Sequence, residues 1–443
     1  MKYISYIILL TSYLFLAACS DNHEVTLDDI SMGDVAITLT GVINSAEDFE
    51  VTLRNTQTNA LFTGKTNSEG IATFHVTPGL YEATASKQEL TGNTYYIYNG
   101  TSGQIVVSKD ERTTVSLEMK RAKTSQIVIK ELYNGGCMKD DGVTFFQYDK
   151  CLILYNNTAQ PAQLHNLCIG FCAPANAQAT NRNYDSNGKL TYEAEGFIPV
   201  WNGIWYFPNT LTIEPYSQVV VNICGAIDNT QTITASVNYA NADYYCMYDP
   251  ESGYYNTNYY PTPSVVIPTS HYLKAVVIGL GNGWPFSNTS PALVVFQIPQ
   301  GQTPRDYCTN TENIWYSGGE VKQVNACAKV PNEWIIDAIE VYSAAYKEGS
   351  NKRLTADIDA GYVWLTHQHG HTLYRNVDLQ ATEVLEDNAG KLVYNYQMGV
   401  GYSTDPSTID AEASLRNGAH IIYQDTNNST NDFHERKQCS LKD

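Results

Sequence analysis

Between residues 33 and 122, apolar and polar positions alternate with a period of two. In the stretch Phe49–Leu53 every second residue is apolar, and the same holds for Tyr81–Ala85. Such alternation is typical of half-buried antiparallel strands, because successive side chains of a strand point to opposite faces of the sheet. The segment Ser68–Gly70 supplies residues that favour a turn. The pattern predicts a small β-sandwich over residues 33–122.

Beyond residue 126 the pattern changes to short apolar runs that are rich in β-branched residues and bounded by Asn, Gly and Pro. These runs are Ile127–Tyr133, Leu152–Asn157, Val219–Ile223, Leu293–Phe296 and Trp334–Val341. Their length and composition predict strands buried on one or both faces of a sandwich. We interpret the basic segment 120–125 as a solvated linker. The prediction is an all-β protein of two β-sandwiches, with the larger one over residues 126–433 and a polar tail over residues 434–443.

The N-terminus carries an export signal. Lys2 is followed by the apolar run Ile7–Phe15 and then by Leu16-Ala17-Ala18-Cys19, an order typical of a secretory signal peptide. A cysteine directly after the two alanines resembles a bacterial lipobox, which implies that the Cys19 thiol is lipidated and that residues 1–18 are removed. Residues 19–32 are then a lipidated tether, held at a membrane because each buried CH₂ of an acyl chain contributes ~0.8 kcal/mol. The alternative is an ordinary signal peptide with an incidental cysteine.

The composition supports folded domains. Of 443 residues, 43% are apolar and 16% are charged, which is enough apolar material for a core and too little charge for a disordered chain. The formal net charge is −19. A chain of this charge repels polyanions, so we expect no nucleic-acid partner.

The cysteines outside the lipobox all follow residue 136. They are Cys137, Cys151, Cys168, Cys172, Cys224, Cys246, Cys308, Cys327 and Cys439. Cysteines of exported proteins are usually disulfide-bonded, although spacing does not determine which of them pair. Nearest-neighbour pairing predicts the disulfides 137–151, 168–172, 224–246 and 308–327, with Cys439 left over. A structural zinc site is disfavoured, because only Cys168 and Cys172 are closely spaced.

Three segments of the first sandwich carry a resemblance. Val51–Asn55, Gly64–Phe74 and Pro78–Ala83 resemble the carboxypeptidase-regulatory or transthyretin-like fold, in which a Gly-rich turn, an apolar strand and a Pro-Gly-x-Tyr turn follow one another. The resemblance implies a non-catalytic spacer or binding module.

The second part resembles the lamin-tail domain, an immunoglobulin-like sandwich. The matching segments are Ile127–Glu131, Leu152–Asn156, Phe286–Asn288, Ile336–Ala338, Leu373–Arg375 and Asp425–Phe433. The surplus length is then inserted loops. The whole arrangement resembles Bacteroidetes-type surface lipoproteins of unassigned function. That resemblance implies a bacterial outer-membrane location, with surface exposure expected and the periplasmic face left open, and a setting beside a TonB-dependent transporter.

Tyrosines are dense between residues 239 and 260. The candidate ligand-binding residues are Tyr244, Tyr245, Tyr248, Tyr254, Tyr255, Tyr259 and Tyr260. Tyrosine offers a large, rigid contact area with a polar tip. Such a loop suits stacking on sugars or other flat ligands, or contact with a protein. The alternative is a long loop that packs its own rings against the sandwich.

Three histidines alternate in the segment 367–371. In an extended strand, His367, His369 and His371 project from the same face, so their imidazoles could hold a transition metal. The alternative is a set of exposed or hydrogen-bonded histidines. We expect no other cofactor.

Motifs of common enzymes, such as GxSxG, a Walker loop and HExxH, do not occur. We therefore expect no catalytic residues and a non-enzymatic lipoprotein that binds an extracellular glycan, small molecule or protein. The alternatives are a structural or adhesion protein of the cell surface, and a metal-capture lipoprotein that uses the three histidines.

Overall fold

The computed structural model describes residues 32–442, except residues 59, 92–93, 347 and 400–403. The signal peptide, Cys19 and nearly all of the tether therefore lie outside the described residues. The chain divides into two compact units. Within the described residues, unit 1 contains residues up to 83 and residues 101–118, and unit 2 contains residues 84–100 and 119–442.

Among the described residues of 33–124, the chain forms nine strands. They are β1 Gly33–Thr40, β2 Glu50–Asn55, β3 Leu61–Lys65, β4 Ile71–Val76, β5 Gly79–Thr91, β6 Thr94–Thr101, β7 Ile105–Val107, β8 Arg112–Glu118 and β9 Lys120–Thr124. In unit 1, β1 pairs antiparallel with β4 and parallel with β8. Strand β2 pairs with β3, and β7 pairs with β5. The apolar positions of the alternating pattern, such as Val51, Leu53 and Tyr81, are fully buried.

The segment predicted to be a linker is a strand. Lys120–Thr124 forms β9, which pairs antiparallel with β6. The basic composition suggested a solvated linker. Instead, the backbone hydrogen-bonding groups of this segment pair with those of β6.

Unit 2 is built mainly from short strands. They are β10 Ile127–Tyr133, β11 Cys137–Met138, β12 Phe145–Phe146, β13 Lys150–Asn156, β14 Ala162–Leu164, β15 Leu167–Phe171, β16 Phe197–Trp201, β17 Gly203–Tyr206, β18 Leu211–Ile213, β19 Gln218–Cys224, β20 Tyr245–Met247, β21 Tyr272–Val277, β22 Ala292–Gln297, β23 Ile314–Tyr316, β24 Ala326–Pro331, β25 Ile335–Ser343, β26 Val363–Leu365, β27 Thr372–Arg375 and β28 Phe433–Arg436. The α-helices are single turns or little more: α1 Pro304–Thr309, α2 Leu379–Glu383, α3 Ala411–Arg416 and α4 Ser429–Asp432. The predicted all-β class is confirmed.

Twelve strands of unit 2 form one sheet, in the order β26-β25-β22-β15-β17-β21-β20-β19-β13-β10-β27-β28. The sheet folds back on itself. The Ile129 amide of β10 donates a hydrogen bond to the Asp337 carboxylate of β25. The Thr366 amide, next to edge strand β26, donates to Glu435 of edge strand β28. The two halves of the sheet thus enclose an apolar core, which includes Ile129, Leu154 and Trp205.

The end of the chain differs from the predicted polar tail. His434, Glu435 and Arg436 belong to β28 and are buried, and Cys439 beyond them is also buried. Charged residues can occupy this strand because they find polar partners inside the unit, which a composition-based argument does not foresee.

The nearest-neighbour disulfides predicted from the sequence are wrong. All nine cysteines from Cys137 onwards are buried free thiols. Cys168 lies on β15 and Cys172 directly follows that strand. Four residues of extended chain span about 13 Å, which is too far for a disulfide. Among the described residues, no helix is long and apolar enough to cross a bilayer.

Candidate functional site

The structure places two of the candidate tyrosines in the core of unit 2. Tyr254 and Tyr260 are buried, and both rings lie beside Trp205. The Tyr254 hydroxyl donates to the backbone oxygen of Asn202 at 2.7 Å, and the Tyr260 hydroxyl accepts from the Trp284 amide at 3.1 Å. These two rings are not available to a ligand. They match the alternative interpretation, in which the loop packs its own rings against the sandwich.

The other candidate tyrosines do not converge on one surface. Tyr244 packs against the apolar cluster that contains Cys151. Tyr248 lies edge-on to Tyr272, and Tyr259 lies edge-on to Tyr148. Tyr255 is 61% exposed. Tyr245 lines a pocket.

The pocket, called the Tyr245 pocket here, has a volume of about 190 Å³. Three segments form it: the connection between β17 and β18, strand β20, and the 3-10 turn Thr269–His271 that precedes β21. Its lining residues are Phe207, Pro208, Asn209, Thr210, Leu211, Tyr245, Ser270 and His271. Strand pairing holds two of the segments together, because β20 and β21 are parallel neighbours.

Three aromatic rings form one wall of the Tyr245 pocket. The Tyr245 and His271 rings stack with their centroids 4.1 Å apart and their planes inclined by 15°. The Phe207 ring lies 5.2 Å from Tyr245 at 59°. The Phe207–Tyr245 separation lies within the ~4.5–7 Å range of favourable aromatic pairs, and the Tyr245 and His271 rings stack more closely. The wall is therefore held in place before any ligand arrives.

Hydrogen bonds define the polar chemistry of the Tyr245 pocket. His271 Nδ1 lies 3.2 Å from the backbone oxygen of Tyr244, and a carbonyl only accepts, so Nδ1 carries a proton. In the neutral imidazole, Nε2 is then an acceptor. The Thr210 hydroxyl lies 2.7 Å from His165 Nδ1. Burial raises the pKa of Tyr245, so its phenol remains a neutral donor.

The lining contains no Asp, Glu, Lys or Arg. Its polar groups are amide, hydroxyl and imidazole groups, and its apolar groups are rings and the Leu211 side chain. Its volume lies below the ~300 Å³ of pockets for drug-sized molecules. The Tyr245 pocket thus matches one small uncharged ring with polar substituents, either free or at the end of a larger ligand.

The three candidate histidines lie in a turn, and the predicted extended strand is wrong. Gln368 has φ 72° and Gly370 has φ 76°, and the turn joins β26 to β27. Positive φ at alternate positions reverses the chain direction, so the side chains lose the common face of a strand.

The His369 and His371 rings lie 6.1 Å apart, but His367 and His371 have different polar partners. His371 Nδ1 pairs with Glu435 Oε1 at 3.1 Å, whereas His367 Nδ1 lies 3.4 Å from the Ser343 hydroxyl. Burial lowers the pKa of His367. Across the part of the chain that the structure describes, no group of three or more His, Cys, Asp or Glu side chains is arranged to hold a metal ion.

A buried cluster of charged side chains surrounds the Arg375 guanidinium in the interior. It pairs with the carboxylate of Asp337 and lies 3.7 Å from Asp425 and 3.8 Å from Asp432. Burial raises the pKa of Asp337 to about 7 and that of Asp432 to about 6. These four residues, the Arg375 cluster, join β25, β27 and the segment before β28.

Sequence reasoning missed most of the Tyr245 pocket. Phe207 and Thr210 lie more than 30 residues before Tyr245 in the sequence. His271 belongs to a separate turn. No local motif marks them, since only the pairing of β20 with β21 and the sheet order bring them together.

Comparison with known proteins places this fold beside proteins of unknown function. Residues 214–395 match the family described as "Protein of unknown function (DUF4876)". A crystal structure of a DUF4876 family protein from Bacteroides thetaiotaomicron VPI-5482 superposes with a TM-score of 0.60 at 20% identity, covering 90% of this chain and 94% of that chain. The two chains share a fold.

Two further solved structures match more weakly. A DUF3823 family protein from Parabacteroides merdae ATCC 43184 has a TM-score of 0.16 at 11% identity, covering 32% of this chain and 67% of that chain. The Bacillus anthracis TIE protein has a TM-score of 0.17 at 13% identity, covering 43% of this chain and 45% of that chain. No curated protein matches this chain significantly.

Proposed function

We propose that this protein is a non-enzymatic, lipid-anchored protein of the bacterial outer membrane that binds an extracellular ligand in the Tyr245 pocket. The observation that carries the proposal is the preformed aromatic wall of Tyr245, His271 and Phe207 beside hydroxyl and amide groups. Small-molecule sites typically combine apolar and aromatic walls with a few placed polar groups.

The ligand is a small uncharged ring, or a larger molecule that ends in one. A sugar unit of a glycan fits this description, because it offers a flat apolar face to a ring and hydroxyl groups to Asn209 and Thr210. A charged ligand would bury its charge without a partner, which is unfavourable. A lining without Asp, Glu, Lys or Arg therefore favours neutral ligands over acidic or basic ones.

The anchor is the lipidated Cys19, and the resemblance of residues 16–19 to a lipobox supports it. The carboxypeptidase-regulatory-like and lamin-tail-like assignments belong to the same proposal, with the first sandwich as a spacer. A role beside a TonB-dependent transporter rests only on the resemblance to Bacteroidetes-type lipoproteins.

A binding screen with neutral glycans and small cyclic molecules tests the pocket. We expect a hit whose affinity falls at least about tenfold in Tyr245→Ala, since loss of a central aromatic contact costs more than ~1.4 kcal/mol. Tyr255→Ala is the matched control, because it removes an exposed tyrosine that does not line the pocket. Equal loss in both variants, or no hit at all, contradicts the proposal, and no hit favours a structural or adhesion role.

Labelling of the expressed chain with radioactive palmitate tests the anchor. We expect label on the unaltered protein and none on Cys19→Ala. Cys246→Ala serves as control, because Cys246 is buried inside unit 2. Absence of label on the unaltered protein contradicts the lipid anchor. It does not affect the proposed binding in the Tyr245 pocket, which the ligand screen tests separately.

A further inference from the structure

Two distant cysteines meet in the interior of unit 2. Cys151 lies on β13, an interior strand of the twelve-stranded sheet, and Cys439 follows the last strand, β28. Their Sγ atoms are 3.9 Å apart, and both residues are fully buried. Nearest-neighbour pairing leaves Cys439 without a partner, because 288 positions separate it from Cys151.

The segment that carries Cys439 is held against the sheet from both sides. Before it, β28 pairs with β27. After it, the Ser440 amide donates to Glu131 Oε1 at 3.0 Å, and the Ser440 hydroxyl donates to the same carboxylate. The Lys442 ammonium donates to the backbone oxygen of Ala235. Cys439 therefore faces Cys151 because of backbone and side-chain contacts that do not involve sulfur.

Besides each other, the two thiols contact the Tyr239 side chain and the Leu441 backbone. They share an apolar cluster with Tyr133, Ile153 and Tyr239. A disulfide bond is ~2.05 Å long, so the sulfur atoms must approach by about 1.9 Å. Side-chain rotation moves a sulfur atom over such a distance, because χ1 has staggered alternatives.

We propose that Cys151 and Cys439 are oxidised to a disulfide that fastens the C-terminal segment to β13. The S–S bond forms as each thiol loses its proton and the pair gives up two electrons. The oxidant is the disulfide of a thiol–disulfide oxidoreductase, or of a small disulfide in solution, which takes up two electrons and two protons and becomes two thiols. The inference rests on the proposed export, because disulfides persist in oxidising compartments.

The order of events follows from burial. Burial raises the pKa of both thiols in the packed state, and exchange requires a thiolate. We therefore expect oxidation while the C-terminal segment is still undocked, followed by docking of the closed pair. The disulfide then stays inaccessible to reductants until this segment opens.

Peptide mapping of the full chain tests the proposal directly. The protein is unfolded, refolded with reduced and oxidised glutathione, alkylated in denaturant without reductant, and digested. We expect a linked peptide that contains Cys151 and Cys439 and lacks two hydrogen atoms relative to its reduced parts. C439S removes this peptide, whereas C246S, which alters another buried cysteine, retains it. Full alkylation of both cysteines in the refolded, unaltered protein would overturn the inference.

A stability measurement tests the same pairing by a second readout. Dithiothreitol is expected to lower the thermal unfolding temperature of the unaltered protein by several degrees, because the crosslink restricts the unfolded chain, and to leave that of C439S unchanged. An equal effect on both contradicts the pairing. Neither readout involves a ligand or a lipid, so failure here is distinguishable from failure of the Tyr245 pocket or of the anchor.

Discussion

The Tyr245 pocket and the Arg375 cluster occupy the same unit but have opposite chemistry. The pocket lies at the surface, has no charged lining residue, and is held by ring contacts. The cluster is buried, carries one guanidinium among three carboxylates, and contains carboxyl groups with raised pKa values.

The difference between the pocket and the cluster shows that perturbed pKa values alone do not identify a functional site. Perturbed pKa values often mark catalytic or binding sites, but structural ion networks also produce them. Here the Arg375 guanidinium donates to the backbone oxygens of Ile129 and Gln424 as well as pairing with Asp337. These contacts connect β10, β27 and the C-terminal segment, so the cluster holds strands together. The neutral pocket is the better candidate for binding.

The largest effect is expected from Arg375→Met. Removing the guanidinium leaves carboxylates buried without their cation, which costs about 3–5 kcal/mol in the free energy of unfolding. Urea denaturation followed by circular dichroism measures this loss. Lys322→Met is the control, because the Lys322–Glu320 pair is exposed and its removal should leave the urea midpoint unchanged. Equal midpoints for the unaltered protein and Arg375→Met would show that the cluster does not hold the strands together.

Mild acid should raise the free energy of unfolding through the carboxyl groups of the Arg375 cluster. The folded pKa values of about 7 for Asp337 and about 6 for Asp432 exceed the usual value of 3.8. The folded protein therefore binds more protons than the unfolded chain between pH 4 and pH 7. The contribution of these two groups to the free energy of unfolding therefore increases as the pH falls through that window, by roughly 1–3 kcal/mol.

His434 acts in the opposite direction, since burial lowers its pKa and acid then favours the unfolded chain. The pH effect is therefore measured as the difference between the unaltered protein and Asp432→Asn in urea denaturation at pH 7.5 and pH 5.5. We expect the unaltered protein to gain more stability on acidification than the variant. A smaller gain contradicts the raised pKa of Asp432.

A smaller effect is expected from Tyr254→Phe, which tests the division between core and surface tyrosines. The variant loses the hydrogen bond to the Asn202 backbone oxygen and should lose about 1 kcal/mol of unfolding free energy. Tyr255→Phe removes the hydroxyl of an exposed tyrosine and should change nothing. Thermal denaturation of both variants compares them, and an equal change would place Tyr254 outside the core.

The smallest effect is expected for salt on ligand binding. No charged side chain lines the Tyr245 pocket, so the affinity of a hit from the screen should change less than about twofold between low and high ionic strength. Isothermal titration at both salt concentrations measures this. A steep decrease with salt would indicate that charges outside the pocket dominate binding.

The predictability of the fold differs between the two units. In unit 1, alternation around Val51, Leu53 and Tyr81 identifies the buried face, because a period of two relates directly to the two faces of a strand. In unit 2, every residue of β10 and β13 is buried. A short run rich in apolar residues predicts a strand but not its neighbours, so neither the sheet order nor its folding over the core could be predicted.

The candidate site was predicted only through Tyr245. Tyrosine density identified the segment 239–260, but composition does not distinguish Tyr254, which fills the core, from Tyr245, which lines a pocket. The alternation of His367, His369 and His371 was misleading, because Gly370 and Gln368 adopt positive φ values that turn the chain. Glycine permits such a turn without marking its position.

The sequence by itself determined that this is an all-β protein, because alternation and β-branched runs express local preferences that hold in any surroundings. It also determined the resemblance of residues 16–19 to a lipobox, which requires no fold. Tertiary structure alone decided which tyrosines are buried, where the charged residues of β28 find partners, and that Cys439 lies beside Cys151. These features depend on contacts between segments that are 52 to 288 residues apart, and no local pattern encodes such contacts.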